Sequence, residues 1–163
     1  MFLTDTICAI ATGMGNAGIG IIRISGSEAI NIASKVFKPA NDKEVVKTMK
    51  SYTAAFGGVY DGDNMIDEGI LLLMKGPHTY TCEDVCELQC HGGVHVLKEV
   101  LEAVIKAGAR IAEPGEFTKR AFLNGRIDMS QAESVMDIIN AKNDFAVKSS
   151  LVQLKGELKD RIT

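Results

Sequence analysis

The stretch Pro114 to Glu133, PGEFTKRAFLNGRIDMSQAE, constrains this chain more than any other. Pro-Gly signals a turn. Phe117, Ala121 and Phe122 then recur at helical spacing, which predicts a short amphipathic helix. Asn124-Gly125 stops that helix, because both residues tolerate the left-handed geometry of a helix C-terminus. Ser130-x-x-Glu133 reads as a capping box that opens another helix. One stretch therefore closes a mixed α/β region and begins an all-helical one. It also crowds Lys119, Arg120 and Arg126 into one corner, a place suited to holding an anion.

Upstream, the pattern is β-rich. Thr6 to Ala11 predicts a first strand. Gly13-Met14-Gly15-Asn16-Ala17-Gly18 matches G-x-G-x-x-G, but a dinucleotide site needs a helix directly after that motif. The run that follows, Ile19, Ile21, Ile22 and Ile24, is a strand. The glycines read instead as a loop joining two strands, one that could close over a ligand. Arg23 is the odd residue of that second strand. By alternation it shares a face with Ile19 and Ile21, and an arginine there must be paired, meet a ligand, or snorkel from an edge strand. Ser25-Gly26-Ser27-Glu28 fits a capping box, with Ile30, Ala33, Val36 and Phe37 as a helix face. Lys38 to Lys50 reads as a loop. Ser51–Tyr60 and Met65–Lys75 read as strands joined by the hairpin turn Asp61-Gly62-Asp63-Asn64.

After the break at Gly76-Pro77, alternation puts Val85, Glu87, Gln89 and His91 on one strand face and Cys86, Leu88 and Cys90 on the other. The polar face is the candidate functional one. The cysteines Cys82, Cys86 and Cys90 invite a metal reading. Along one extended strand, however, ligands four residues apart splay by about 13 Å, too far for one ion, so buried thiols are expected. Val94 to Ala107 predicts a helix with Leu97, Val100, Leu101, Val104 and Ile105 inward, and Ala109–Ala112 a short strand. At the C-terminal end, Ala132, Val135, Met136 and Ile139 mark one helix, and Val147, Leu151, Leu154 and Leu158 a second. Two helices cannot bury that stripe alone, so the chain is expected to be part of a longer protein.

The fold class expected is α+β: a mixed, partly antiparallel sheet with flanking helices, followed by α-helices of an incomplete bundle. The 163 residues suffice for one domain and part of a second. The net charge of −3 argues against a free-standing nucleic-acid binder, which normally carries a basic excess. No run approaches the ~20 apolar residues of a membrane span, and the apolar N-terminus lacks a basic region, so a cytoplasmic protein with reduced thiols is expected.

Four segments together resemble one family. They are DTICAIAT with GIGIIRISG, SYTAAFGGV, YTCEDVCELQCHGG, and PGEFTKRAFLNGRIDMSQAESVMDII. They resemble the N-terminal part of the tRNA-modification GTPases MnmE, also called TrmE. The resemblance implies a tetrahydrofolate-binding and dimerisation domain at 1–118, similar to the aminomethyltransferase folate module. The N-terminal part of a helical domain follows at 119–163. It implies a bound 5-formyl- or 5,10-methylene-tetrahydrofolate, a homodimer with folate pockets near its interface, and the flavoprotein MnmG (GidA) and tRNA as partners. The whole family member is a hydrolase. It adds aminomethyl or carboxymethylaminomethyl groups to the wobble uridine, with GTP, magnesium and potassium handled in a GTP-binding domain.

Carried over residue by residue, the family's folate contacts fall on Arg23, Glu87 and Arg126. A pterin presents an amino N–H beside a ring N–H, and a carboxylate such as Glu87 can accept both. Arg23 and Arg126 suit the glutamate tail or the ring carbonyl. The alternative for Glu87 is a strand-face salt bridge with one of these arginines. The glycine loop departs from the family's proline- and arginine-containing version. No G-x-x-x-x-G-K-[ST] occurs in these residues, and none of Cys8, Cys82, Cys86 or Cys90 occupies the place of the family's C-terminal cysteine. The segment is therefore not expected to hydrolyse GTP by itself. A self-sufficient folate-dependent aminomethyltransferase is the competing function.

Overall fold

Period-2 alternation along the strands decides which face of the sheet is buried. The computed structural model describes residues 5–12 and 18–137. Its strands are β1 (Ile7–Ile10), β2 (Gly20–Ser25), β3 (Phe37–Pro39), β4 (Thr53–Asp61), β5 (Asn64–Met74), β6 (Val85–Cys90) and β7 (Arg110–Ile111). They form a seven-stranded sheet in the order β3-β4-β5-β6-β2-β1-β7. Neighbours are antiparallel except β1 and β7, which run parallel. The fold is the expected α+β class.

Helices α1 (Ala29–Val36) and α2 (Gly93–Lys106) cover one face. There Ile22, Ile24, Leu71, Leu73, Cys86 and Leu88 pack with Ile32, Val36, Leu97, Val100 and Val104 in one buried cluster. Each large aliphatic side chain buried there contributes roughly 1.5–3 kcal/mol. Asp67 of β5 fixes the entry to α2, its Oδ2 accepting the His91 and Gly92 N–H groups at 2.8 and 3.2 Å. At Gly69 a Cβ would lie 2.0 Å from the Gln89 carbonyl oxygen. Gly69→Ala should therefore push β5 from β6 and cost about 1–3 kcal/mol. An unchanged urea midpoint would contradict so close an approach.

The opposite face carries the remaining alternate residues. Register places Ala54, Leu72, Glu87, Arg23 and Ala9 in one row, and Phe56, Ile70, Gln89 and Ile21 in the next. Strand β2 lies inside the sheet, between β6 and β1, so Arg23 is no edge residue.

Several local expectations are corrected. Ser25 does not cap α1. It ends β2, and its hydroxyl donates to Glu83 Oε1 at 2.8 Å and lies 2.7 Å from the Thr81 hydroxyl. The buried face of α1 is Ala29, Ile32, Ala33 and Val36, while Phe37 begins β3. Lys38–Lys50 is not all loop, since β3 runs to Pro39 and a 3-10 turn spans Val46–Thr48. In α2, Ala103 is buried and Ile105 is 39% exposed, because a 3.6-residue turn carries Ile105 past the edge of the contact.

Helix α3 (Glu116–Leu123) forms as expected. Gly125 follows it at φ +80, with Gly125 N–H bonded to Phe122 O and Arg126 N–H to Ala121 O, the paired bonds of a Schellman ending. The next helix, α4, spans 129–137. Its cap is not Ser130 with Glu133. Asp128 Oδ1 accepts the Gln131 N–H at 2.8 Å, and Gln131 Oε1 accepts the Asp128 N–H at 2.9 Å. The same capping-box chemistry thus acts two residues earlier. Ala132 is buried and Val135 and Met136 half-buried. Ile139 and the second predicted helix lie outside the described residues.

Candidate functional site

Arg23 and Glu87 are directly opposed across β2 and β6. The Arg23 Nε donates to Glu87 Oε2 at 2.8 Å, with side chains 35% and 13% exposed. Among the described residues, Glu87 Oε1 and the Arg23 Nη atoms have no hydrogen-bond partner, so the pair keeps capacity for a ligand. The Phe117 ring lies against the Arg23 guanidinium, 5.5 Å from Cζ to ring centre.

Two hollows flank this pair. One, of about 190 Å³, is lined by Arg23, Met74, Thr79, Tyr80, Thr81, Val85 and Glu87. The other, of about 620 Å³, lies between the end of β1, the Ala112–Gly115 turn and α3, with Arg23 and Tyr80 again in its wall.

The wall of the smaller hollow is the 76–84 loop, which opens with a cis Gly76–Pro77 peptide. Thr79 Oγ1 donates to the Glu83 carbonyl at 2.6 Å and folds the loop on itself. Three residues of α3 and its C-terminus tie it to that helix. The Thr118 and Tyr80 hydroxyls lie 3.1 Å apart, Asn124 Nδ2 donates to Thr81 O at 2.8 Å, and Arg120 Nη1 donates to both Glu83 carboxylate oxygens at 3.1 and 3.2 Å.

Arg120 is only 2% exposed. Besides Glu83 it donates to the Asp5 carbonyl at 2.7 Å and to Asp5 Oδ1, and its Nη2 lies 3.7 Å from Glu116 Oε2. Arg110 extends the cluster, donating to Asp5 Oδ2 at 2.7 Å and to Glu116 at 2.6 and 3.0 Å. Two guanidiniums thus meet three carboxylates. This corrects one member of the anion-holding corner expected of Lys119, Arg120 and Arg126: Arg120 is already taken by the protein's own carboxylates. Arg126 is exposed on the turn after α3 and lines neither hollow. The structure brings Arg23 and Glu87 together and leaves Arg126 apart from both hollows.

A family model described as the N-terminus of the GTP-binding protein TrmE matches residues 6–126, which include Arg23, Glu87 and Arg126. The chain belongs to the TrmE family. Relatives named tRNA modification GTPase MnmE agree. That of Lachnoclostridium phytofermentans is 54% identical over 159 residues, covering 98% of this chain and 35% of its own length. Those of Symbiobacterium thermophilum and Clostridioides difficile are 52% and 51% identical, covering 97% and 99% of this chain and 35% of theirs. This TrmE-family chain thus spans about a third of the curated relatives it matches, their N-terminal part.

Three of the four thiols of this TrmE-family chain do not supply a reactive group beside the pair. Burial pushes Cys8 up to about 11 and Cys86 and Cys90 up to about 12, so they stay protonated at neutral pH. Cys86 and Cys90 face the core as expected, whereas Cys82 lies on the preceding loop at φ +64.

Arg110, with Arg120 behind it, holds the Asp5 and Glu116 carboxyls below their ordinary values of 3.8 and 4.5. A carboxylate depressed in the folded state stabilises fully above its unfolded pKa, and that stability is lost as pH falls through the folded one. Melting temperature should therefore hold from neutral pH to about 5 and then drop steeply below about 4. Arg110→Ala should flatten that limb. An identical acid limb in the variant would contradict the assignment.

Proposed function

We propose that this segment is the folate-binding and dimerising part of a tRNA-modification GTPase. One observation carries the reading: in a TrmE-family chain, Glu87 and Arg23 pair at the wall of a hollow on the face of the sheet that α1 and α2 leave open.

The donor set fits a reduced folate. Glu87 Oε1 is available to the adjacent amino and ring N–H groups of a pterin, and a carboxylate has about four acceptor positions, so its bond to Arg23 can persist. Arg23 suits the ring carbonyl beside them. Arg126, exposed to water outside both hollows, suits the glutamate tail where it projects from them, its charge left hydrated. When bound, a formyl- or methylene-tetrahydrofolate supplies the one-carbon unit. The residues described here bind and orient it.

A second copy of the chain suits the open face. Phe56 there is 56% exposed, beside half-buried Ile70, Leu72 and Ile21, an apolar row that adjoins the Arg23–Glu87 pair. Activity on the wobble uridine, with a flavoprotein partner, GTP, magnesium and potassium, is proposed for the whole cytoplasmic protein, of which this chain is a part.

Titrating the purified chain with 5-formyl-tetrahydrofolate in a calorimeter tests the reading. One saturable site per chain is expected, with a sedimentation mass of two chains. Heats equal to dilution would overturn it.

A further inference from the structure

Arg23 and Tyr80 line both hollows, and consecutive residues of α3 hold them. Phe117 lies against the Arg23 guanidinium, and the Thr118 hydroxyl lies 3.1 Å from that of Tyr80. The hollow on the Glu87 side, about 190 Å³, is smaller than the ~300–1,000 Å³ usual for a small-molecule site. The hollow beside Pro114 and Thr118, about 620 Å³, lies within that range. The first can take only part of a ligand. A molecule filling both must pass Arg23 and Tyr80, the two side chains that the hollows share.

We propose that the two hollows are compartments of one elongated site, and that Tyr80 is the residue that makes it specific for a two-part ligand: a planar head and a polar arm joined by an aromatic segment. This rests on the folate reading above and adds which residue recognises the middle of the molecule. The Tyr80 ring is 42% exposed, so it has a face to offer. Its hydroxyl is tethered by Thr118, so little rotamer freedom is left to lose on binding. An offset-stacked aromatic pair adds attraction beyond the area it buries.

The test compares 5-formyl-tetrahydropteroate, which keeps the p-aminobenzoyl ring and lacks the glutamate tail assigned to Arg126, with a tetrahydropterin that lacks both. The native chain should bind the pteroate at least about tenfold tighter than the head alone. In Tyr80→Ala that advantage should fall below about threefold, with affinity for the head within about threefold of native. Tyr80→Phe, which keeps the ring and loses only the tether to Thr118, should keep most of that advantage. Tyr80→Leu, which keeps bulk without a planar face, should behave as Tyr80→Ala does and serves if the alanine variant loses its circular dichroism. Native binding with an undiminished advantage in Tyr80→Ala or Tyr80→Leu overturns this proposal alone, as does a loss of affinity for the head equal to that for the pteroate. Unfolding of both variants makes Tyr80 a packing residue and overturns it too. A native chain that binds no folate removes both this inference and the reading beneath it.

Discussion

Arg120→Met should destabilise the protein by about 3–5 kcal/mol, the largest effect expected of any single substitution here. The side chain is 2% exposed and meets Asp5, Glu83 and Glu116. Methionine fills similar space but leaves the Glu83 and Glu116 carboxylates, 11% and 13% exposed, without the cation that offsets their desolvation. Arg110 can still serve Glu116 and Asp5, so Glu83 suffers most. Because Glu83 also holds Ser25 and the 76–84 loop, folate affinity should fall with stability. Urea unfolding followed by circular dichroism measures the first effect. A midpoint within experimental error of native would show that the cluster is dispensable.

Glu87→Ala should do the reverse. The pair it breaks is partly open to water, so stability should change by less than about 1 kcal/mol. Folate affinity should fall roughly ten- to hundredfold, the scale of a lost charge-assisted hydrogen bond of about 1.5–3 kcal/mol. The contrast matters more than either number. A residue that only braced two strands would lose stability and affinity together. Glu87→Gln keeps the shape but replaces one acceptor with a donor, so it should rescue little. Affinity unchanged in both variants would remove Glu87 from the site.

Much of this arrangement was legible in the sequence. Alternation placed Glu87 on a polar strand face and Arg23 as the odd residue beside Ile19 and Ile21, and the family resemblance joined the two across 64 positions. The end of α3 at Asn124-Gly125 followed from glycine's freedom at φ +80. Arg120 was not legible as a buried residue. A charged residue on a short amphipathic helix reads as solvated, and its partners Asp5 and Glu83 lie 115 and 37 positions away. Nor could the caps be fixed. Ser25 and Ser130 both match a capping pattern, but Ser25 is drawn into a tertiary contact with Thr81 and Glu83, and Asp128 with Gln131 competes successfully upstream. The Tyr80 divider depends on how a loop folds over a sheet, and the only local signal was the Gly76-Pro77 break.

A crystal of the chain soaked with 5-formyl-tetrahydrofolate tests the central claim most directly. The account predicts the pterin in the hollow between β2, β6 and the 76–84 loop, its amino and ring N–H groups about 2.7–2.9 Å from Glu87. A folate bound elsewhere, with the Glu87–Arg23 pair untouched, would contradict it.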